Sequence, residues 1–187
     1  MGAKLSVCST QLPGVMLIKS ERYSDERGYF SRWFCQNELE PLMKGQRIQQ
    51  INHSVNLSRG TVRGMHFLYP PLREFKLVRC IRGAVCDAVL DLRKGSATFL
   101  QHQLFELDEH HDQMILIPAG CGHGFQALQD NSQLLYLHSA EYQNGYDGGC
   151  RADDPRVNIS WPLAVSRISS RDLEFDLLTD KFEGLIL

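Results

Sequence analysis

Between Thr61 and Ala140 one pattern repeats: a β-prone run of five to nine residues, then a turn signal. The runs are 61–68, 76–81, 84–92, 99–107, 113–117, 123–128 and 133–140. The signals include Pro70-Pro71, Arg82-Gly83, Lys94-Gly95, Ala119-Gly120 and Gln129-Asp130. Short strands at regular spacing predict an all-β sandwich or barrel.

The flanks add smaller elements. Gly14 to Lys19 reads as a strand after the Pro13-Gly14 turn, and Ile48 to Asn56 as an extended segment. Ser24 to Gly28 is a polar turn followed by Tyr29, Phe30, Trp33 and Phe34. Asn37 is placed to cap a helix running to Lys44, with Gly45 ending it and Pro41 fitting only in a first turn. Asn144 to Asp154 reads as a glycine-rich loop. From Ser170 to Phe182 the spacing predicts a serine-capped helix, with Leu173 and Leu177, then Phe175 and Leu178, on shared faces. With no repeat, low-complexity tract or linker, residues 1–187 read as a single domain with a real core.

Composition excludes several function classes. A net charge of −2 without a clustered basic excess argues against a nucleic-acid surface. No apolar run approaches the ~18 residues needed to span a membrane, and the start lacks the long apolar stretch of a signal peptide. The six cysteines contain no C-x-x-C pair and read as free thiols of a cytoplasmic protein. Met1-Gly2-Ala3-Lys4-Leu5-Ser6 fits the N-myristoylation template, a short pattern read here as an ordinary chain start.

The stretch from Arg59 to Arg93 carries the first candidate chemistry: His66, Lys76 and Asp87 on successive runs. If Arg82 and Gly83 close a two-residue hairpin, Val78 faces Asp87, and Lys76 and Asp87 are diagonal neighbours on one face. Such a pair is either a surface ion pair worth little to stability or a partly buried functional pair. Strict alternation turns Arg63 away from His66, whereas a bulge at Gly64 would bring both to one side. A strand histidine is by default structural, and His123 has the same ambiguity. Two histidines from different strands can nevertheless converge on a barrel mouth. The segment Pro118, Gly120, His123 is half of a metal-cupin pattern, but Phe67 and Leu68 stand where a second early ligand would be. No metal is therefore expected.

Further motifs run in order along the chain. They are Asp25-Glu26-Arg27-Gly28, Gln50-Ile51-Asn52-His53-Ser54, Arg63-Gly64-Met65-His66-Phe67 and Lys76-Leu77-Val78-Arg79-Cys80. Asp91 to Ser96, Ile117 to Gly120, His123-Gly124-Phe125, Leu135-Tyr136 and Asp154-Pro155 through Trp161-Pro162 continue the series. Together they resemble the dTDP-4-dehydrorhamnose 3,5-epimerase family over about residues 13 to 172. The resemblance implies an all-β, cupin-like jelly-roll β-barrel with a few short peripheral helices, without metal or cofactor and forming a homodimer. The implied substrate is a nucleotide-linked 4-keto-6-deoxy sugar, epimerised at C3, C5 or both in deoxysugar biosynthesis. By the same resemblance His66 is the catalytic base, Asp172 the acid that orients it, Tyr136 the proton donor and Lys76 the cation beside the ketone. Arg27, Gln50, Asn52, Arg63 and His123 match substrate-binding positions, Arg27 reaching across the dimer; the hairpin register, not the resemblance, gives Asp87 as the holder of Lys76 on the substrate-binding wall.

The residue types suit that chemistry. Removing a proton next to a ketone requires stabilising the enolate, which a lysine cation does. A histidine takes the proton near neutral pH, and a tyrosine on the other side returns one to the opposite face. The chain departs from the family pattern at Arg32, Leu137, Cys150-Arg151-Ala152, Tyr69-Pro70-Pro71 and Glu74, the last within a loop that usually contains glutamine. Arg32 stands where a base-contacting glutamate is usual, so a CDP- or GDP-linked sugar inverted at one centre is an alternative substrate. A non-catalytic nucleotide-sugar-binding cupin is the competing class.

Overall fold

The computed structural model describes residues 4–187, so the first three positions of the acylation template lie outside the described residues. The first part of the chain forms β1 (Leu5–Ser9), β2 (Met16–Ser20), β3 (Arg22–Asp25), β4 (Gly28–Ser31), α1 (Gln36–Met43) and β5 (Gln50–Asn56). Then come β6 (Val62–Leu68), β7 (Lys76–Arg82), β8 (Ala84–Asp91), β9 (His102–Asp108) and β10 (Gln113–Ile117). The last elements are β11 (Cys121–Ala127), β12 (Ser132–His138), β13 (Asp147–Gly149) and α2 (Ser170–Leu173).

Two antiparallel sheets face each other, one ordered β1-β2-β10-β7-β12-β5 and the other β13-β6-β11-β8-β9. This is the expected all-β jelly-roll barrel. Period-two alternation sends Val78 and Cys80, Ile115 and Ile117, Val85 and Val89, and Phe125 into the core between the sheets. Alternate residues build two outer cores. Leu77, Met114, Leu116 and Leu137 pack under α1 through Leu39 and Met43. Ala88, Leu90, Met65 and Phe67 are covered by the C-terminal segment through Val157, Ile159 and Leu185. Each large apolar side chain so buried contributes about 1.5–3 kcal/mol.

Several expectations are corrected. Arg82-Gly83 does not close a hairpin but turns the chain from one sheet to the other. Val78 pairs with Ile115 and Tyr136, and Asp87 with Phe105 and Phe125. Both edges of each strand are already occupied, so β7 and β8 cannot pair. The helix expected over Ser170–Phe182 stops after one turn. Beyond it Leu178 N–H donates to Asp154 (2.6 Å), while Leu173 and Leu177 remain exposed. The first helix starts at Gln36, with Cys35 rather than Asn37 at its N-cap and no side-chain capping bond. Strand β9 begins at His102 because Leu100 takes a left-handed conformation, φ 62°. The glycine-rich loop contains β13, paired with β6, and the polar turn at Ser24–Gly28 joins β3 to β4.

Candidate active site

A cavity of about 370 Å³ opens between the sheets. On the six-stranded side β5 contributes Gln50, Asn52 and Ser54, β7 contributes Lys76, and β12 contributes Tyr136 and His138. Each set is spaced by two, as residues on one face of a strand must be. The five-stranded side supplies Arg63 and His66 from β6, and His123 and Phe125 from β11.

Arg63 and His66 reach the same side through a bulge. His66 pairs with His123 and Arg63 with Phe125, so Gly64 and Met65 together oppose Gly124. The sequence requires glycine at both positions. Gly64 sits at φ 115°, and a Cβ there would lie 2.6 Å from Gly124 Cα. A Cβ on Gly124 would meet the Arg63 carbonyl oxygen at 2.8 Å.

His66 Nε2 bonds Asp172 Oδ1 at 2.8 Å, leaving Nδ1 as the nitrogen free to accept a proton. The second Asp172 oxygen accepts from Gly64 N–H at 3.0 Å, and Ser169 caps α2 by accepting from Asp172 N–H at 3.1 Å. Burial works against the charged form of Asp172. The His66 bond and the Gly64 amide outweigh it and hold the carboxyl below its usual range.

Across the cavity Tyr136 Oη bonds Ser54 Oγ at 3.0 Å. Burial pushes the phenol well above its usual pKa, so it stays protonated near neutral pH. Lys76 and His138 are direct partners in the β7–β12 register. Glu74 bridges them, Oε2 lying 3.2 Å from Lys76 Nζ and Oε1 2.7 Å from His138 Nδ1. Burial opposes ionisation of Glu74, but the Lys76 charge and the His138 bond hold its carboxyl below the usual value.

Glu74 therefore replaces Asp87 as the partner of Lys76. Asp87, fully buried, bonds His123 Nε2 at 2.8 Å and sits behind the cavity wall. Arg63 is steadied by Asn56, its Nε donating to Oδ1 at 2.8 Å. Arg27 is not brought to the cavity. It lies on the β3–β4 turn, its side chain 84% exposed and paired with Asp25. Arg32 pairs with Glu38 of α1 at 2.5 Å, and Leu137 faces the outer core, not the cavity. Among the described residues no group of three His, Cys, Asp or Glu is placed to hold a metal.

Ser54, Glu74 and His138 are not among the site residues expected from the sequence. Ser54 and His138 each stand two residues beyond a candidate on the same strand, a signal that extending the period would have caught. Glu74 precedes its strand, outside any period, and its one signal is the departure from the family's glutamine-containing loop. Arg171, beside Asp172, also lines the cavity, paired with Asp147 of β13.

A family model described as dTDP-4-dehydrorhamnose 3,5-epimerase matches residues 9–180. The dTDP-4-dehydrorhamnose 3-epimerase of Streptomyces niveus is 37% identical, covering 94% of this chain and 85% of the relative. The dTDP-4-dehydrorhamnose 3,5-epimerase of Sinorhizobium fredii is 35% identical over 87% of this chain and 83% of its own length. A solved 4-keto-6-deoxy sugar epimerase from the novobiocin gene cluster of Streptomyces spheroides superposes with TM-score 0.88 at 35% identity. That superposition covers 95% of this chain and 89% of the other. The chain belongs to the dTDP-4-dehydrorhamnose 3,5-epimerase family.

Proposed function

We propose that the chain, as a single domain, epimerises a nucleotide-linked 4-keto-6-deoxy sugar at C3, C5 or both, in deoxysugar biosynthesis. The observation that carries this reading is one cavity holding an ionised carboxylate–histidine pair on one sheet and a protonated phenol on the other. His66 Nδ1 takes the proton next to the ketone, with Asp172 fixing the tautomer. Lys76 faces the ketone oxygen and stabilises the enolate, and Tyr136 returns a proton to the opposite face. Inversion needs two groups on opposite faces, because a single base would restore the starting centre. Gln50, Asn52, Arg63 and His123 bind the substrate around these groups.

The homodimer reading is supported by the free edge of the six-stranded sheet. There β5 exposes Ile51 and Val55, and apart from that edge the β3–β4 hairpin exposes Tyr29 and Phe30 on the strand that follows the Arg27 turn. In such a dimer Arg27 serves the partner's cavity. Six thiols without a disulfide among the described residues favour the cytoplasm.

Incubation with 4-keto-6-deoxy nucleotide sugars in D₂O tests the reading. Deuterium is expected at C3, C5 or both, and its absence with every nucleotide sugar would favour the binding module instead. Comparing dTDP, CDP, GDP and UDP binding assigns the base. Clear preference for dTDP would remove Arg32 as the mark of a changed nucleotide.

A further inference from the structure

We propose that Glu74 and His138 are positioning residues that hold the Lys76 ammonium where it meets the developing enolate oxygen. The inference rests on the epimerase reading above and adds to it two side chains with no role there. The three groups form one chain of contacts, Lys76 Nζ to Glu74 Oε2 at 3.2 Å and Glu74 Oε1 to His138 Nδ1 at 2.7 Å. Their side chains are only 12%, 9% and 16% exposed, and all three line the cavity.

The scaffold under the cluster is rigid. Phe75, between Glu74 and Lys76, donates its N–H to Ser139 Oγ at 2.9 Å. Ser139 N–H returns a bond to the Phe75 carbonyl at 3.1 Å. Phe75 itself is buried in the outer core under α1. The backbone linking Glu74 to Lys76 is thus tied to the end of β12, next to His138. The His138 ring also stacks on Tyr136, centroids 6.0 Å apart at 25°, which limits its rotation.

A lysine has a flexible four-carbon stem, and its ammonium in a 370 Å³ cavity has many places to be. Ordering it before the substrate arrives removes an entropy cost from the reaction. A displacement of about 1 Å at a catalytic group costs about 10²-fold. A carboxylate anchors the ammonium but also draws on its charge. The second oxygen of Glu74 is engaged by His138, which fixes the carboxylate plane and spreads its charge over two partners. A glutamine there would keep the geometry, its amide oxygen accepting from Lys76 and its N–H donating to neutral Nδ1.

The test compares Glu74→Ala, Glu74→Gln and His138→Ala with the wild type. Glu74→Ala is expected to lower kcat for solvent exchange by about 10²-fold, with KM changed less than about threefold. It should also raise the isotope effect with C3- or C5-deuterated substrate, because proton abstraction becomes slower. Glu74→Gln should stay within about threefold of wild type on both measures, and His138→Ala should show the Ala pattern at severalfold size. Equal losses in the Ala and Gln variants, or wild-type kcat in Glu74→Ala or in His138→Ala, would overturn the proposal. A readout independent of turnover is Lys76 labelling by acetic anhydride, followed peptide by peptide. Labelling should accelerate in Glu74→Ala and not in Glu74→Gln, and identical rates in all proteins overturn the clamp. A wild type inert toward every nucleotide sugar defeats the epimerase reading alone, with the labelling still deciding the clamp.

Discussion

The two walls of the cavity are built by different means. On the six-stranded side the reactive groups come from adjacent strands in regular register, Lys76 opposite His138 and Tyr136 opposite Asn52. On the five-stranded side His66 depends on a bulge for its direction and on Asp172, 106 positions further along the chain, for its hydrogen bond. The backbone of the first wall follows from sheet geometry, with Glu74 of the preceding loop added to hold Lys76. The second is assembled, with a glycine-dependent irregularity and a distant cap each supplying one requirement. The backbone of a regular wall survives the loss of a single side chain, whereas an assembled wall loses its geometry when any of its parts is lost.

The largest expected effect separates the walls chemically. His66→Asn should lower both exchange and inversion by about 10²–10⁴-fold, the usual contribution of a general base. Tyr136→Phe should leave deuterium exchange at His66's face measurable by NMR while abolishing inversion. If both variants lose exchange equally, the division of labour between the walls is wrong. Next in size is Gly124→Ala, which places a methyl group 2.6 Å from Met65 Sδ and 2.8 Å from the Arg63 carbonyl oxygen. A cost of about 1–3 kcal/mol is expected, read as a lower melting temperature together with reduced exchange. Unchanged melting and activity would show that the bulge is more adaptable than its close contacts imply. Smallest is Ser54→Ala on the regular wall. Loss of one bond to Tyr136 should cost about 0.5–1.5 kcal/mol in kcat, with exchange by His66 retained. A loss as large as that of His66→Asn would erase the contrast.

The same contrast explains what could be read from the sequence. Strands β6, β7, β8, β10, β11 and β12 were legible because each is a short, largely buried run bounded by turn signals, its two faces feeding an inner and an outer core. The bulge was legible too, through Gly64 standing between two candidate residues. What was lost depended on the third dimension. Arg82-Gly83 has the composition of a hairpin turn, yet it is a corner, since nothing local records that both strand edges are occupied. That error gave Lys76 the wrong carboxylate, Asp87 for Glu74. The C-terminal helix was overread because Leu173 and Leu177 have helical spacing. The segment gains more from laying Leu178 and Phe182 on the outer core than from continuing its turns. Strands β1, β3 and β4 expose most of their residues and so carry little periodic signal. The Asp172 partnership with His66 came from family resemblance, since no local pattern links residues so far apart.

That separation bears on how the molecule becomes competent as it is made. Synthesis proceeds from the N-terminus, and sheets can pair as their strands emerge. A nascent chain released as far as β13 already has every strand of both sheets, but His66 has no carboxylate until the segment carrying Ser169 and Asp172 emerges and docks. Catalysis is therefore a late property, arriving with the same C-terminal segment that covers the outer core of the five-stranded sheet. Proton exchange by a translating or truncated chain would report that final docking step, separately from any spectroscopic measure of β-sheet.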